Sequence, residues 1–204
     1  MSDGTSGRVT SIALEALLRL RQTCVSLNLL PSSLYKGEKR MSTKMNLALG
    51  QIRNLGKDDK LIIFSQFVEA LEELEGYLSE NTIPYVSLYG KTTDRVTPVA
   101  VFQSNPDVQV FLSSIKAGGV GLNLTAADYV LLLDDWWNPA VEAQAFSRAH
   151  RIGQKRTVEV MRLICKDTVE EKILALQQSK QQTADVFNLS GIKLTTEELK
   201  TLLS

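Results

Sequence analysis

The sequence predicts an α/β fold in which a mostly parallel sheet is covered by helices on both faces. Short apolar runs alternate along the chain with longer segments whose apolar residues recur at helical spacing, and this rhythm favours parallel strands joined by helices. Polar residues follow four of the strands, at 65–66, 90–92, 113–114 and 134–135. Right-handed crossovers bring the carboxyl ends of such strands to one edge, where open α/β sheets bind ligands.

The individual elements follow from the same patterns. Apolar spacing predicts helices over 12–24, 42–55, 67–79, 94–102 and 168–178, and a last short helix that opens at Thr195. Ser42 and Thr168 are suited to cap two of these helices, and Glu171 is spaced to complete a capping box with Thr168. Short apolar runs predict strands over 60–64, 85–88, 108–112, 129–133 and 158–164.

Three regions are expected along the chain. Residues 1–40 form an N-terminal lead and helix, the tail of a preceding segment, and the small polar residues Met1 to Gly7 are expected to be disordered. Residues 41–166 form the sheet domain, and residues 167–204 form C-terminal helices. Hydrophobic residues make up 44% of the 204 residues, which is enough for a buried core.

Because the chain has no net charge, its bulk charge does not indicate a nucleic-acid partner. The chain has 23 basic and 23 acidic residues, so only a local patch can indicate a nucleic-acid partner. A local patch exists near the end of the sheet domain, and a solvated surface remains the alternative explanation for it. Its members are Arg148, Arg151, Lys155, Arg156, Arg162 and Lys166.

No metal site and no disulfide are predicted. Cys24 and Cys165 are far apart in the sequence and form no CxxC motif, and His150 is the only histidine. Asp134 and Asp135 are adjacent carboxylates at a strand end, and neighbouring strand residues point to opposite sides of the sheet. The sequence contains neither a membrane-spanning apolar run nor a signal-peptide pattern.

A glycine cluster follows the third predicted strand. Gly118, Gly119 and Gly121 allow backbone N–H groups to approach a phosphate, although such clusters are more often simple tight turns. The sequence around them matches neither the dinucleotide fingerprint nor the P-loop, and no P-loop occurs elsewhere in the chain.

Two arginines share one face of a predicted helix that starts at Pro139. Gln144, Arg148 and Arg151 fall within about 60° of one another around the helix axis. Guanidinium groups match phosphate oxygens and stabilise charge on a transferring phosphoryl group. Surface ion pairs with Glu142 or Glu159 remain an equally good explanation of the spacing.

Both tryptophans of the chain precede this helix. One of Trp136 and Trp137 is expected in the core, and the other is suited to stack on nucleic acid.

These motifs together resemble a known family. The runs GGVGLNLTAAD, DDWWNP and QAFSRAHRIGQ, with LIIFSQF at 61–67 and LRQTC at 20–24, are similar to the second motor lobe of Swi/Snf-type DNA translocases of helicase superfamily two. The resemblance spans about residues 14–178, and its most specific part is the run 148–154. It is strongest to the repair-associated branch, whose members often carry a RING insert, and it implies a RecA-like three-layer fold.

The resemblance also implies roles for individual residues. Arg148 and Arg151 would be arginine fingers on ATP, supported by Gln144, while Gly119, Gly121 and Asn123 would link nucleotide to DNA. The helix at 168–180 would be the brace that packs back across the motor. The DNA track would contain Gln66, Lys91, Thr92, Ser114, Lys116 and Trp137.

The chain departs from the family pattern at some positions. Tyr89 replaces the usual acidic residue before Gly90, and Val25-Ser26 stands where a His-Pro pair often follows the LRQxC motif. Only 17 residues separate Cys24 from Ser42, too few for a RING domain.

The sequence also lacks the family's first lobe, with its phosphate-binding loop and magnesium-holding acidic pair. The chain alone is therefore expected to be an inactive fragment that needs that lobe to use ATP and Mg²⁺. Joined to it, the chain would help move the motor along double-stranded DNA in the nucleus, with chromatin or repair proteins as further partners. Two alternatives stay open: a non-catalytic DNA- or protein-interaction module, and an unrelated doubly wound enzyme.

Overall fold

The structure is a computed structural model, and it describes residues 3–90, 93–118, 124–135, 158–182 and 195–203. A five-stranded sheet in the order β2-β3-β1-β4-β5 forms its centre, and every neighbouring pair of strands is parallel. The predicted fold class is thus confirmed. The strands are β1 (Leu61–Ser65), β2 (Tyr85–Leu88), β3 (Val110–Ser114), β4 (Tyr129–Leu132) and β5 (Glu159–Arg162).

The predicted helices lie close to their expected positions, except that α1 begins nine residues earlier. Those before β4 are α1 (Asp3–Val25), α2 (Thr43–Arg53), α3 (Val68–Glu80), α4 (Val96–Ser104) and the single turn α5 (Ile115–Gly118). Those after β5 are α6 (Val169–Gln182) and α7 (Thr196–Leu203), and a short 3-10 helix, Leu27–Leu29, follows α1. No helix within the described residues is long and apolar enough to span a membrane.

The central strand β1 is buried on both faces, as its continuous apolar run predicts. Leu61 and Ile63 pack into the cluster formed with α2 and α3, while Ile62 and Phe64 pack into the cluster on the opposite face with α4. The second cluster contains an edge-to-face pair, Phe102 and Phe111, whose ring centroids lie 5.2 Å apart. Alternate residues of one strand therefore anchor two helical layers.

Strand lengths differ slightly from the sequence prediction, and pairing explains the differences. β3 extends to Ser114 because Ser113 pairs with Leu88 and Ser114 pairs with Ser65. β5 is shorter than predicted because it pairs only with the four residues of β4.

Helix starts follow the capping residues of the sequence. Ser42 accepts a hydrogen bond from the Met45 N–H, and Thr195 and Glu198 form a reciprocal capping box at α7. At α6 the expected box is displaced by one residue. Glu171 accepts from the Asp167 N–H, while Thr168 accepts from the Glu170 N–H.

The N-terminal region differs from the expectation. The segment Met1 to Gly7 was predicted to be disordered, but α1 begins at Asp3. No proline interrupts this stretch, so the amphipathic helix continues toward the N-terminus despite two glycines. Leu17 of α1 packs with Val169 and Ile173 of α6 and with Leu199 and Leu202 of α7, so the C-terminal helices rest on α1.

Gly90, just after β2, has a left-handed backbone conformation. Gly90 has a φ of 63°, and an added Cβ would meet no atom within 4 Å. We therefore expect Gly90→Ala to lower the free energy of unfolding by about 1–2 kcal/mol through backbone strain alone. Urea denaturation measures this loss. Gly50→Ala is a matched control, since that position also has open space but lies inside α2, where alanine is favoured. A loss of stability in Gly50→Ala as large as that in Gly90→Ala would contradict the strain argument.

Candidate functional site

The carboxyl ends of the strands form one polar edge, as predicted. Ser65 of β1 lies beside Ser114 of β3, and Phe64 lies beside Leu132 of β4. Gln66, Ser114 and the two aspartates after β4 therefore share this edge. We call it the carboxyl edge of the sheet.

The two serines at the end of β3 shape the turn that follows. The Ser113 hydroxyl donates to the Leu88 carbonyl at 3.1 Å and so ties the end of β3 to the end of β2. The Ser114 hydroxyl accepts from the Ala117 N–H at 3.3 Å and so caps α5. Lys116 projects from this turn and is exposed. The edge thus presents a positive side chain from a short, capped turn.

Gln66 is held from the neighbouring strand. The Asp134 carboxylate accepts a hydrogen bond from the Ser65 hydroxyl and another from the Gln66 N–H, the latter at 3.2 Å. Burial raises the pKa of Asp134, and the Ser65 hydroxyl and the charge of Arg21 oppose that rise. The carboxylate therefore fixes the backbone from which Gln66 projects.

Asp135 is fixed by two arginines. The buried Arg21 of α1 donates to the Asp135 carbonyl, and the Arg162 guanidinium lies 3.3 Å from the Asp135 carboxylate. Burial raises the pKa of Asp135, an effect that Arg162 opposes. Burial likewise lowers the pKa of Arg21, against the charges of Asp134 and Glu170. These contacts hold the end of β4 at the point where the chain continues into 136–157.

A buried ion pair supports the same strand end. Lys44 of α2 and Glu170 of α6 are both only 3% exposed, and Lys44 Nζ lies 2.6 Å from Glu170 Oε1. Lys44 also donates to the Leu133 carbonyl at 2.7 Å. One ammonium therefore joins α2, α6 and the end of β4.

The adjacent aspartates do not fit a magnesium site within the described residues. Asp134 is engaged with Ser65 and Gln66, and Asp135 is paired with Arg162. A magnesium ion needs near-octahedral oxygen ligands and keeps several waters, which a buried carboxylate already bound to β1 does not provide.

Tyr89, one of the departures from the family pattern, packs against α3. Burial raises the pKa of its hydroxyl, and a hydrogen bond with Glu75 of α3 adds to the rise. The side chain that replaces an acidic residue is thus partly buried against α3 and joins the core cluster on that face.

Only part of the predicted site lies in the described residues. Gln66, Ser114 and Lys116 do, and the structure brings them to one edge. In the basic patch, Arg162 is paired with Asp135, whereas Lys166 is exposed. The remaining candidates lie outside the described residues: Lys91, Thr92, Gly119, Gly121, Asn123, Trp137, Gln144, Arg148 and Arg151.

Sequence reasoning missed Arg21 and Lys44. A signal was present, because each occupies a core position of an amphipathic helix. Arg21 lies on the same face of α1 as the buried Leu17 and Val25. Lys44 directly precedes the buried Met45 of α2 and lies one turn before the buried Ala48. A charged residue on the apolar side of a helix indicates a buried partner.

Comparison with known proteins gives a consistent result. The family described as "Helicase conserved C-terminal domain" matches residues 43–153. The DNA repair protein rad8 of Schizosaccharomyces pombe is 40% identical over 164 residues, which cover 78% of this chain and 14% of that protein. The chromatin-remodeling ATPase INO80 of Arabidopsis thaliana is 39% identical over 163 residues, which cover 79% of this chain and 11% of that protein. The chain spans less than a fifth of the length of the curated relatives it matches.

Two solved structures are similar over most of the chain. The Sulfolobus solfataricus SWI2/SNF2 ATPase core in complex with double-stranded DNA gives a TM-score of 0.71 at 35% identity, with 94% of this chain and 42% of that chain covered. The C-terminal domain of the same ATPase gives a TM-score of 0.68 at 32% identity, with 94% of this chain and 81% of that chain covered.

Proposed function

We propose that this chain is the second motor lobe of an ATP-dependent double-stranded DNA translocase. The chain belongs to the helicase conserved C-terminal domain family, and its fold is that of a Swi2/Snf2-type RecA-like lobe. Its parent protein would act in DNA repair or chromatin remodelling, as the names of rad8 and INO80 suggest for those relatives. Those names also support a nuclear location for the parent protein.

One observation carries the proposal: the carboxyl edge gathers Gln66, Ser114 and Lys116 from two adjacent strands of a parallel sheet. Phosphate tracks are built from backbone N–H groups, hydroxyls and basic side chains. The Ser114 hydroxyl caps the turn that carries Lys116, and Asp134 holds the backbone of Gln66. The backbone of Gln66 and the turn that carries Lys116 are therefore held in place by contacts within the chain.

The proposed DNA track also includes Lys91, Thr92 and Trp137, which lie outside the described residues. In the sequence, Lys91 and Thr92 come shortly after β2, and Trp137 is the second residue after Asp135. The carboxyl end of β2 lies beside that of β3, and the carboxyl end of β4 lies beside that of β1, which supports including them.

The nucleotide side of the site is proposed from sequence motifs. Arg148 and Arg151 supply positive charge to the transferring phosphoryl group, with Gln144 beside them, and Gly119, Gly121 and Asn123 connect that site to DNA. ATP and Mg²⁺ are held mainly by the first lobe, so this chain alone neither binds ATP tightly nor hydrolyses it. The contacts of Asp134 and Asp135 support this division, because both carboxylates are engaged inside the lobe.

The DNA track is tested by Lys116→Ala in the chain itself. A lysine that neutralises one phosphate contributes about one unit to the slope of log affinity against log salt. We expect the variant to bind duplex DNA more weakly and with a salt dependence shallower by about one unit, as measured by fluorescence anisotropy over a range of salt concentrations.

A matched control is Lys57→Ala. Lys57 is also exposed, but it precedes β1 at the opposite, amino end of the sheet. The control is expected to leave affinity and slope unchanged. If the two substitutions weakened DNA binding equally, binding would depend on general surface charge, and the proposed track would be wrong.

A further inference from the structure

Three side chains with metal-binding chemistry meet between α1 and α6. Cys24 lies near the end of α1, Cys165 follows β5, and Glu170 lies in the first turn of α6. One ligand atom from each lies within 4.8 Å of the other two. We call this group the thiol–carboxylate cluster. The two cysteines are 141 positions apart, so sequence spacing gave no indication of it.

The separations suit a small thiophilic cation. Zinc bound at about 2.3 Å to each sulfur in tetrahedral geometry places two thiolates about 3.8 Å apart. Ligand atoms already within 4.8 Å need only small side-chain rotations to reach that spacing. Thiolate ligands favour zinc and cadmium over magnesium and calcium.

The carboxylate of the cluster is already oriented. Glu170 Oε1 accepts from Lys44 Nζ at 2.6 Å, and Oε2 accepts from the Cys165 N–H at 2.8 Å. A carboxylate has roughly four lone-pair positions, so each oxygen keeps capacity for a further partner. Metal-binding carboxylates are commonly held by such hydrogen bonds. Lys44 therefore supports Glu170 in a position to bind a cation.

A cavity gives access to the cluster. It has a volume of about 730 Å³, and Cys24, Cys165, Thr168 and Lys44 line it together with part of the segment that precedes Lys44, from Tyr35 onward. Both cysteines are half-buried rather than sealed in the core. The cavity supplies an entry path and room for a water molecule as a fourth ligand.

We propose that the thiol–carboxylate cluster binds one thiophilic divalent cation of the zinc type, with Cys24 and Cys165 as thiolates and Glu170 as carboxylate. Two metal–sulfur bonds form, two S–H bonds break, and two protons leave to solvent, so no oxidant is required. The charges of the cation, two thiolates, Glu170 and Lys44 then sum to zero, as they do when both thiols are protonated. The bound cation would tie the end of α1 to the start of α6.

Cadmium titration of the reduced chain tests the proposal. Cys24 and Cys165 are its only cysteines, so any cadmium–thiolate absorbance reports on this pair. We expect one equivalent to bind per chain, with two protons released and with Zn²⁺ displacing the probe. Cys24→Ser, Cys165→Ser and Glu170→Gln should each weaken binding at least tenfold. Glu171→Gln is the matched control, because Glu171 is exposed and bonds the Asp167 N–H instead.

A second measurement needs no variant. Zinc should protect both thiols of the folded wild-type chain from alkylation and should raise its melting temperature. Unprotected thiols at saturating zinc, or cadmium affinity that Cys24→Ser leaves unchanged, would overturn the proposal. Half an equivalent of metal per chain, with dimers on size-exclusion chromatography, would also overturn it by showing bridging between molecules.

Discussion

Arg151→Ala is expected to lower DNA-stimulated ATP hydrolysis by about 10³-fold or more in a protein that joins this chain to its first motor lobe. An arginine finger stabilises charge that develops only as the phosphoryl group is transferred, so its loss reduces turnover without unfolding the lobe. Steady-state ATPase rates at saturating duplex DNA, with circular dichroism of the variant, measure both parts of this expectation.

Arg156→Ala is the matched control for this substitution. It removes a guanidinium from the same basic run at a position outside the predicted helix face of Gln144, Arg148 and Arg151. Retained activity in Arg151→Ala would transfer the role to Arg148, and retained activity in both variants would end the arginine-finger proposal. A wild-type protein without DNA-stimulated turnover would instead favour a non-catalytic interaction module.

Lys44→Met is expected to lower the free energy of unfolding by about 3–5 kcal/mol. The substitution leaves the Glu170 carboxylate buried without its cation, and an uncompensated buried charge is strongly destabilising. It also removes the hydrogen bond to the Leu133 carbonyl. Chemical denaturation monitored by circular dichroism measures the loss.

Two comparisons isolate the buried charge as the cause. Arg40→Met breaks an ion pair with Glu38 in which both side chains are more than 80% exposed, and it should cost less than about 1 kcal/mol. The double variant Lys44→Met/Glu170→Leu should recover part of the loss, because it removes both charges together. Equal losses in Lys44→Met and Arg40→Met would refute the argument from burial.

Much of the fold is predictable because local sequence patterns determine where the strands and helices form. β1 was recognised from a continuous apolar run that packs on both faces, and α2 from a serine that caps it. Pro98 lies inside the predicted 94–102 helix and makes its start difficult to place from the sequence. The Asp94 carboxylate accepts from the Val96 and Thr97 N–H groups, so the helix starts there and Pro98 falls in its first turn, where no N–H is needed.

The candidate site was only partly predictable. Gln66, Ser114 and Lys116 could be assigned to one edge because parallel strands align their carboxyl ends. The contact of Arg21 with Asp135 and the approach of Cys24 to Cys165 depend on how α1 folds back on the sheet. Each joins residues more than 100 positions apart, and no local pattern in the sequence specifies such a pairing.

The hydrogen bond from Arg21 to the Asp135 carbonyl joins α1 directly to the chain just after β4. A force that pulls α1 away from the sheet acts on a guanidinium that is only 4% exposed and lies 5.8 Å from the centre of the Phe67 ring. That guanidinium contacts the last described residue before the segment that carries both candidate arginines. Displacing α1 would therefore break a contact at the start of that segment as well as the packing of Leu17 on α6 and α7.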